Sequence, residues 1–189
     1  MNNNLTKKLS DKAQSPLLRV GDVTTSAFLS DCRKYRYSLT RIWDDSKPRV
    51  LFIMLNPSTA DATIDDATIR RCRRFAESWG YGGFYVGNLF PFRSKEPSDL
   101  LKSENPLGKC NGDHIKMMAL CSEKIVCAWG NSSIVNKLQK KFPEYKPLEG
   151  LNRELNCLEL SNDGTPKHPL YLPKTLKPVR YEVSRVSLS

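Results

Sequence analysis

Arg49-Val50-Leu51-Phe52-Ile53-Met54-Leu55-Asn56-Pro57-Ser58-Thr59 decides how the rest of the chain is read. An unbroken apolar run from Val50 to Leu55, bounded by Arg49 and Asn56, has the pattern of a strand buried on both faces. Pro57 has no N–H to give a ladder and pushes Asn56 toward an extended or turn geometry, so the strand ends there. Ligands of open α/β sheets gather beyond the carboxyl ends of such strands. The segment from Asn56 to Asp66 is therefore the first candidate for a working site.

Upstream, Tyr35 to Trp43 alternates bulky and polar residues, the period of a half-exposed strand. Asp44 to Pro48 then turns the chain into the buried run, which pictures an antiparallel hairpin appended to a parallel sheet. Residues 1–23 are polar and aperiodic, an arm that is mobile or loosely docked. Downstream, Asp65 or Asp66 can cap a helix with Ile69, Cys72, Phe75, Ala76 and Trp79 at helical spacing. Arg70, Arg71, Arg73 and Arg74 fill its other face. Strand-like runs recur at Phe84–Phe90, Lys124–Trp129 and Leu155–Leu160, with helical patterns at about 112–121 and 134–141 and a connecting loop at 97–106. Alternation of this kind predicts an α/β fold, a three-layer α/β/α sandwich around a central, mainly parallel four-stranded sheet, plus the N-terminal hairpin. Residues 24–189 are expected to form a single domain.

Lys and Arg number 30 against 20 Asp and Glu, a formal charge of +10. That balance favours an anionic partner, nucleic acid or nucleotide, although a basic surface that only aids solubility has the same composition. The six cysteines are scattered, with no C-x-x-C pair, which reads as a reduced, cytoplasmic protein and speaks against zinc-ribbon or cluster ligation. No apolar run approaches the ~20 residues of a membrane span. No Walker sequence, G-x-S-x-G, H-E-x-x-H or G-x-G-x-x-G is present. The expectation is thus a protein without metal or cofactor, away from the membrane, and a monomer.

Parallel topology brings the strand ends Asn56, Asn88, Trp129-Gly130 and the His168-Pro169 loop to one edge of the sheet. The two Asn amides can read a base edge, position a water or cap the next helix. His168 sits in a loop stiffened by Pro166 and Pro169, whereas His114 lies in a helical pattern where packing is the simpler role. Phe90, Phe92 and Trp129 can stack on a base or belong to the core, and Arg93 can hold a phosphate. Among the acids, Asp65 and Asp66 suit helix capping and Asp61 is left open as a general base. The arginines at 70–74 read as a solvated helix face that supplies basic surface nearby.

Four stretches together, Leu55–Asp61, Gly87–Arg93, Ala128–Gly130 and His168–Leu172, resemble the uncharacterised family DUF1643 across roughly 35–173. Their order is also similar, more distantly, to that of the uracil-DNA glycosylase superfamily. This second resemblance implies a glycosylase-like sandwich and hydrolysis of the N-glycosidic bond of a modified or damaged DNA base flipped into a pocket. It implies that Asn56 positions water, Asn88 reads the base edge, Phe90 stacks, and His168 donates to the departing base, with Pro57, Ser58, Thr59, Arg93, Trp129, Gly130 and Pro169 around them. Leu55 and Ser58 stand where mismatch glycosylases carry glycine. The alternative is a non-catalytic nucleic-acid or nucleotide-binding module with the same pocket.

Overall fold

The computed structural model describes residues 18–58 and 60–182. Most of the expected arm, residues 1–17, therefore lies outside the described residues, as do Thr59 and 183–189. The described residues hold β1 (Leu18–Val20), β2 (Val23–Leu29), β3 (Arg36–Ile42), β4 (Arg49–Met54), α1 (Ala67–Ser78) and β5 (Gly83–Asn88). They continue with α2 (Asp99–Lys102), α3 (Asn111–Leu120), β6 (Lys124–Cys127), α4 (Ser132–Lys141), β7 (Leu155–Cys157) and β8 (Val179–Arg180).

The strands form one mixed α/β sheet in the order β1-β2-β3-β5-β4-β6-β7-β8. The expected sheet of four mainly parallel strands was too small and too uniform. β5, β4, β6 and β7 run parallel to one another, but β1–β2, β2–β3, β3–β5 and β7–β8 are antiparallel. The expected hairpin also differs. β4 has a parallel partner on either side, so no edge is left for β3. That strand pairs instead with β2 and β5, and the turn after it is fixed by Trp43 and Asp44 N–H groups donating to Gly82 C=O, each at 2.9 Å. The 97–106 segment, expected as a loop, contains the short α2.

β4 is buried along its apolar length, and its alternate residues face two different cores. Val50, Phe52 and Met54 pack with Ile69, Cys72, Phe75 and Ala76 of α1. Leu51 and Ile53 pack on the opposite face with Ile115 of α3 and Val135 and Leu138 of α4. Helices thus cover both faces of the central strands. Each fully buried side chain of this size contributes about 1.5–3 kcal/mol, which holds β4 and the strand ends beside it in fixed register. Among the described residues no helix is long and apolar enough to cross a membrane.

Candidate functional site

Beyond the carboxyl ends of the parallel strands lies a cavity of about 380 Å³. Asn56 and Ser58 after β4, Asn88 at the end of β5, Trp129 and Gly130 after β6, and His168 in the loop after β7 all line it. The register explains the convergence. Leu89 N–H donates to Met54 C=O at 2.7 Å, and Ala128 N–H donates to Ile53 C=O at 2.8 Å, which carries the pairing past the strand ends. Gly130 N–H then donates to Pro166 C=O at 2.9 Å, strapping the His168 loop to the β6 turn. Gly130 is required there: its φ is +58°, and an added Cβ would lie 3.1 Å from His168 Cβ.

Asn56 donates through Nδ2 to the carbonyls of Pro57 and Ser94, at 3.1 and 2.9 Å. Its amide nitrogen is spent on the loop, and its Oδ1 accepts no hydrogen bond among the described residues. His168 accepts at Nδ1 from Leu170 N–H at 3.3 Å, an arrangement that puts the proton on Nε2. Burial pushes its pKa below the ordinary histidine value, with the Asp66 charge opposing, so the ring is neutral near pH 7. Asn88 is 1% exposed, and its Nδ2 has no partner among the described residues. The same holds for Trp129 Nε1.

Arg36 and Lys95, which reading of the sequence missed, also line the cavity, and so does Asp66, expected there only as a helix cap. Arg36 and Arg41 belong to β3, the strand expected to be half-exposed. Both are buried, and they hold the 60–66 loop over the sheet. Arg41 pairs with Asp65 at 2.7 Å and donates to Asp61 C=O at 2.7 Å. Arg36 donates to Ala60 C=O at 2.7 Å, but its buried Nε has no partner among the described residues. Burial pushes this guanidinium down to about 10, despite the attraction of Asp66 and Asp61. Alternation puts Arg36 on the polar face with Ser38 and Thr40, but Arg41 on the bulky face with Tyr37 and Leu39, where it is buried with them.

The acids exchange roles. Asp61 does not line the cavity: its Oδ1 accepts from Thr63 and Ile64 N–H at 2.9 and 3.0 Å and closes a local turn. Burial raises its pKa, but those bonds, with Arg93 nearby, bring it below the ordinary carboxylate value. Asp66 caps α1 by accepting from Ile69 N–H at 2.9 Å and also lines the cavity. The other site expectations fall outside the lining. Phe90 is 1% exposed and packs on Tyr145 in the core, ring centroids 5.4 Å apart, so a base in the cavity does not meet it. Arg93 turns away to Arg33 C=O at 3.2 Å, and Pro57 and Pro169 are buried beside the cavity. His114 packs on Tyr37 and Phe28, centroids 5.1 and 4.4 Å away.

A larger hollow, about 510 Å³, lies around Leu148–Leu155 and Arg180–Glu182. It sits at the amino end of β7, away from the strand ends, and its Arg153 is engaged with the carbonyls of Ala119, Ser122 and Glu123. The strand-end cavity is chemically distinct. His168 Nε2–H and the Lys95 amine are donors at its wall, Arg36, Asn88 and Trp129 line it while their unpartnered Nε, Nδ2 and Nε1 are sealed from solvent, and Asp66 is the one carboxylate of the lining. Such a lining suits a ligand rich in acceptors or one that becomes negative. Among the described residues no group of three or more His, Cys, Asp or Glu is placed to hold a metal ion.

Over residues 36–170 the chain matches the family described as protein of unknown function, DUF1643, and it belongs to that family. No curated protein and no solved structure matches it.

Proposed function

We propose that this DUF1643 member is an N-glycosidic hydrolase of the DNA-glycosylase kind, taking a modified or damaged base out of a DNA strand and into the strand-end cavity. The observation that carries this reading is the meeting of Asn56, Asn88 and His168 around one donor-rich cavity of about 380 Å³. On this reading the parallel strands and their two helical layers form a glycosylase-like sandwich. The free cysteines suit a reducing compartment such as the cytoplasm.

The chemistry follows from the lining. Asn88 and Trp129 donate to the edge of the base. As the C1′–N bond breaks, its electron pair passes to the base, and the Nε2–H of neutral His168 and the Arg36 guanidinium stabilise that developing anion. Asn56 Oδ1, its amide anchored by Nδ2, holds the attacking water. The water oxygen bonds to C1′, its proton passes to Asp66, and that carboxylate also offsets the positive charge on the sugar. The products are a free base and an abasic site.

The test is incubation with single-stranded and duplex DNA carrying uracil or modified pyrimidines, scored for abasic sites. Folded protein that releases no base across the panel refutes the hydrolase. One observation favours the second reading, a binding module without chemistry: Asp66 is already committed to capping α1. Asn56→Ala separates the two, since it abolishes release and spares binding only if there is release to abolish.

A further inference from the structure

Beside the strand-end cavity, on the outer side of α1, lies a second cleft of about 260 Å³, lined by Ala67, Arg70, Arg71, Arg74 and Leu170. We infer that this cleft is a phosphate subsite, binding the sugar-phosphate strand that flanks the nucleotide in the cavity. The inference rests on the nucleic-acid reading above and assigns that partner a second, separate surface.

The helical period puts positions 67, 70, 71 and 74 on one face. The guanidinium groups there carry charge that nothing nearby cancels. Arg70 donates to Asp65 C=O at 2.6 Å, and Arg71 donates to the carbonyls of Pro169 and Leu172. Those acceptors are neutral, and Arg74 is exposed. Arg73, one residue off the cleft, is by contrast paired with Glu77 at 2.8 Å. Asp65 is paired with Arg41 and Glu77 with Arg73, and Asp66, which caps α1 through Ile69 N–H, is in no ion pair with these arginines. Three like charges held around one hollow, none of them ion-paired among the described residues, mark a place for an anion.

Position says which anion. Ala67 lies between Asp66 and Thr68, both in the cavity wall, and Leu170 lies between His168 and Tyr171, also in that wall. Cleft and cavity thus share one ridge, made by the first turn of α1 and the His168 loop. Arg70 and Arg74 are separated by about 6 Å along the helix, comparable to the step between neighbouring phosphates of an extended strand. A nucleotide with its base in the cavity places its flanking phosphates over this ridge. Arg71 has a different role: its bonds to Pro169 and Leu172 tie α1 to the His168 loop, so it is left intact in the test.

The experiment measures binding of a single-stranded oligonucleotide, and of a wholly abasic sugar-phosphate oligomer, against salt concentration. Arg70→Gln/Arg74→Gln should flatten the slope of log K against log salt by about 1.4, about 0.7 for each lost phosphate contact. Between 50 and 200 mM salt the wild type then loses about sevenfold more affinity than the variant. Lys137→Gln/Lys140→Gln, on α4 across the sheet, should leave the slope unchanged. No binding of either oligomer, an unchanged slope in the arginine variant, an equal flattening in the lysine variant, or tighter binding to anionic phosphatidylserine vesicles than to DNA overturns the inference. The abasic oligomer has no base to release, so this surface and the hydrolase fail independently.

Discussion

Arg36→Met separates what the cavity asks of this residue from what the fold asks. The Arg36 side chain is 2% exposed, and burial pushes its guanidinium down to about 10 even with Asp66 and Asp61 attracting it. Against an ordinary value near 12.5, at about 1.4 kcal/mol per unit, the charged form carries a net penalty of about 3 kcal/mol. At pH 7 the group lies below both its folded and its unfolded value, so it is charged in both states and the whole penalty weighs on the fold. The substitution loses the charge-assisted hydrogen bond to Ala60 C=O, worth about 1.5–3 kcal/mol. Met should therefore stabilise the protein by up to about 1.5 kcal/mol, raising its melting temperature by up to about 3–6 °C for a chain of this size. Urea unfolding at pH 7, followed by circular dichroism, reads the stability, and release of base or binding of nucleoside reads the site. The expected pairing is a more stable protein with its ligand response lost. A variant destabilised by more than about 1 kcal/mol would refute the reasoning, because Arg36 would then be a clamp for the 60–66 loop. So would one that keeps full ligand binding.

Four further outcomes follow from the same geometry. Asp66→Asn keeps an N-cap of equal quality, so the melting temperature should hold while base release falls by about 10²-fold or more. Asp61→Ala should do the reverse, costing about 1 kcal/mol through its lost turn bonds and leaving single-turnover release intact. Gly130→Ala forces a side chain into the left-handed region and against His168, for a loss of about 1–2 kcal/mol in a denaturant melt and weaker ligand binding. The buried, neutral His168 sits below its ordinary value, so the unfolded chain takes up protons first as the pH falls. Stability should decline below about pH 6.5. His168→Gln should remove part of that decline, with His114, shifted the same way by burial, accounting for the rest.

The parts of the fold that could be read were those whose neighbours along the chain already fix their environment. β4 was legible because six apolar residues admit no solvent face, and α1 because Ile69, Cys72, Phe75 and Ala76, all buried, repeat at helical spacing behind an Asp66 cap. β2 was not, since in Val-Thr-Thr-Ser-Ala-Phe-Leu polar Thr25 is buried while Val23 and Phe28 are only half-buried, so no clean alternation marks its two faces. The partner of β3 is a different kind of problem. Its own alternation is real, but whether it lies beside β4 or β5 depends on β6 taking the second edge of β4, which involves residues some seventy positions further on.

The site divides along the same line. Asn56, Asn88, Trp129 and His168 could be found because a strand end is a local event and parallel topology gathers strand ends. Arg36 could not, and Asp66 was legible only as a helix cap, because their place in the cavity comes from a tertiary exchange. The 60–66 loop folds back over the sheet, Arg41 takes Asp65, and Asp61 spends its carboxylate on its own turn, which leaves Asp66 facing the cavity beside a buried guanidinium with an idle Nε. That exchange also bears on function. A fold that needed only to close this loop could do so with Arg41 and Asp65, whose charges pair directly. Burying a second arginine at the cavity wall, with a carbonyl as its only hydrogen-bond partner among the described residues, adds a desolvation cost that Arg41 does not require. An anion arriving in the cavity, whether a departing base or another acceptor-rich group, is what would offset it. The stability gained by Arg36→Met and the ligand response it loses are two readings of that one imbalance.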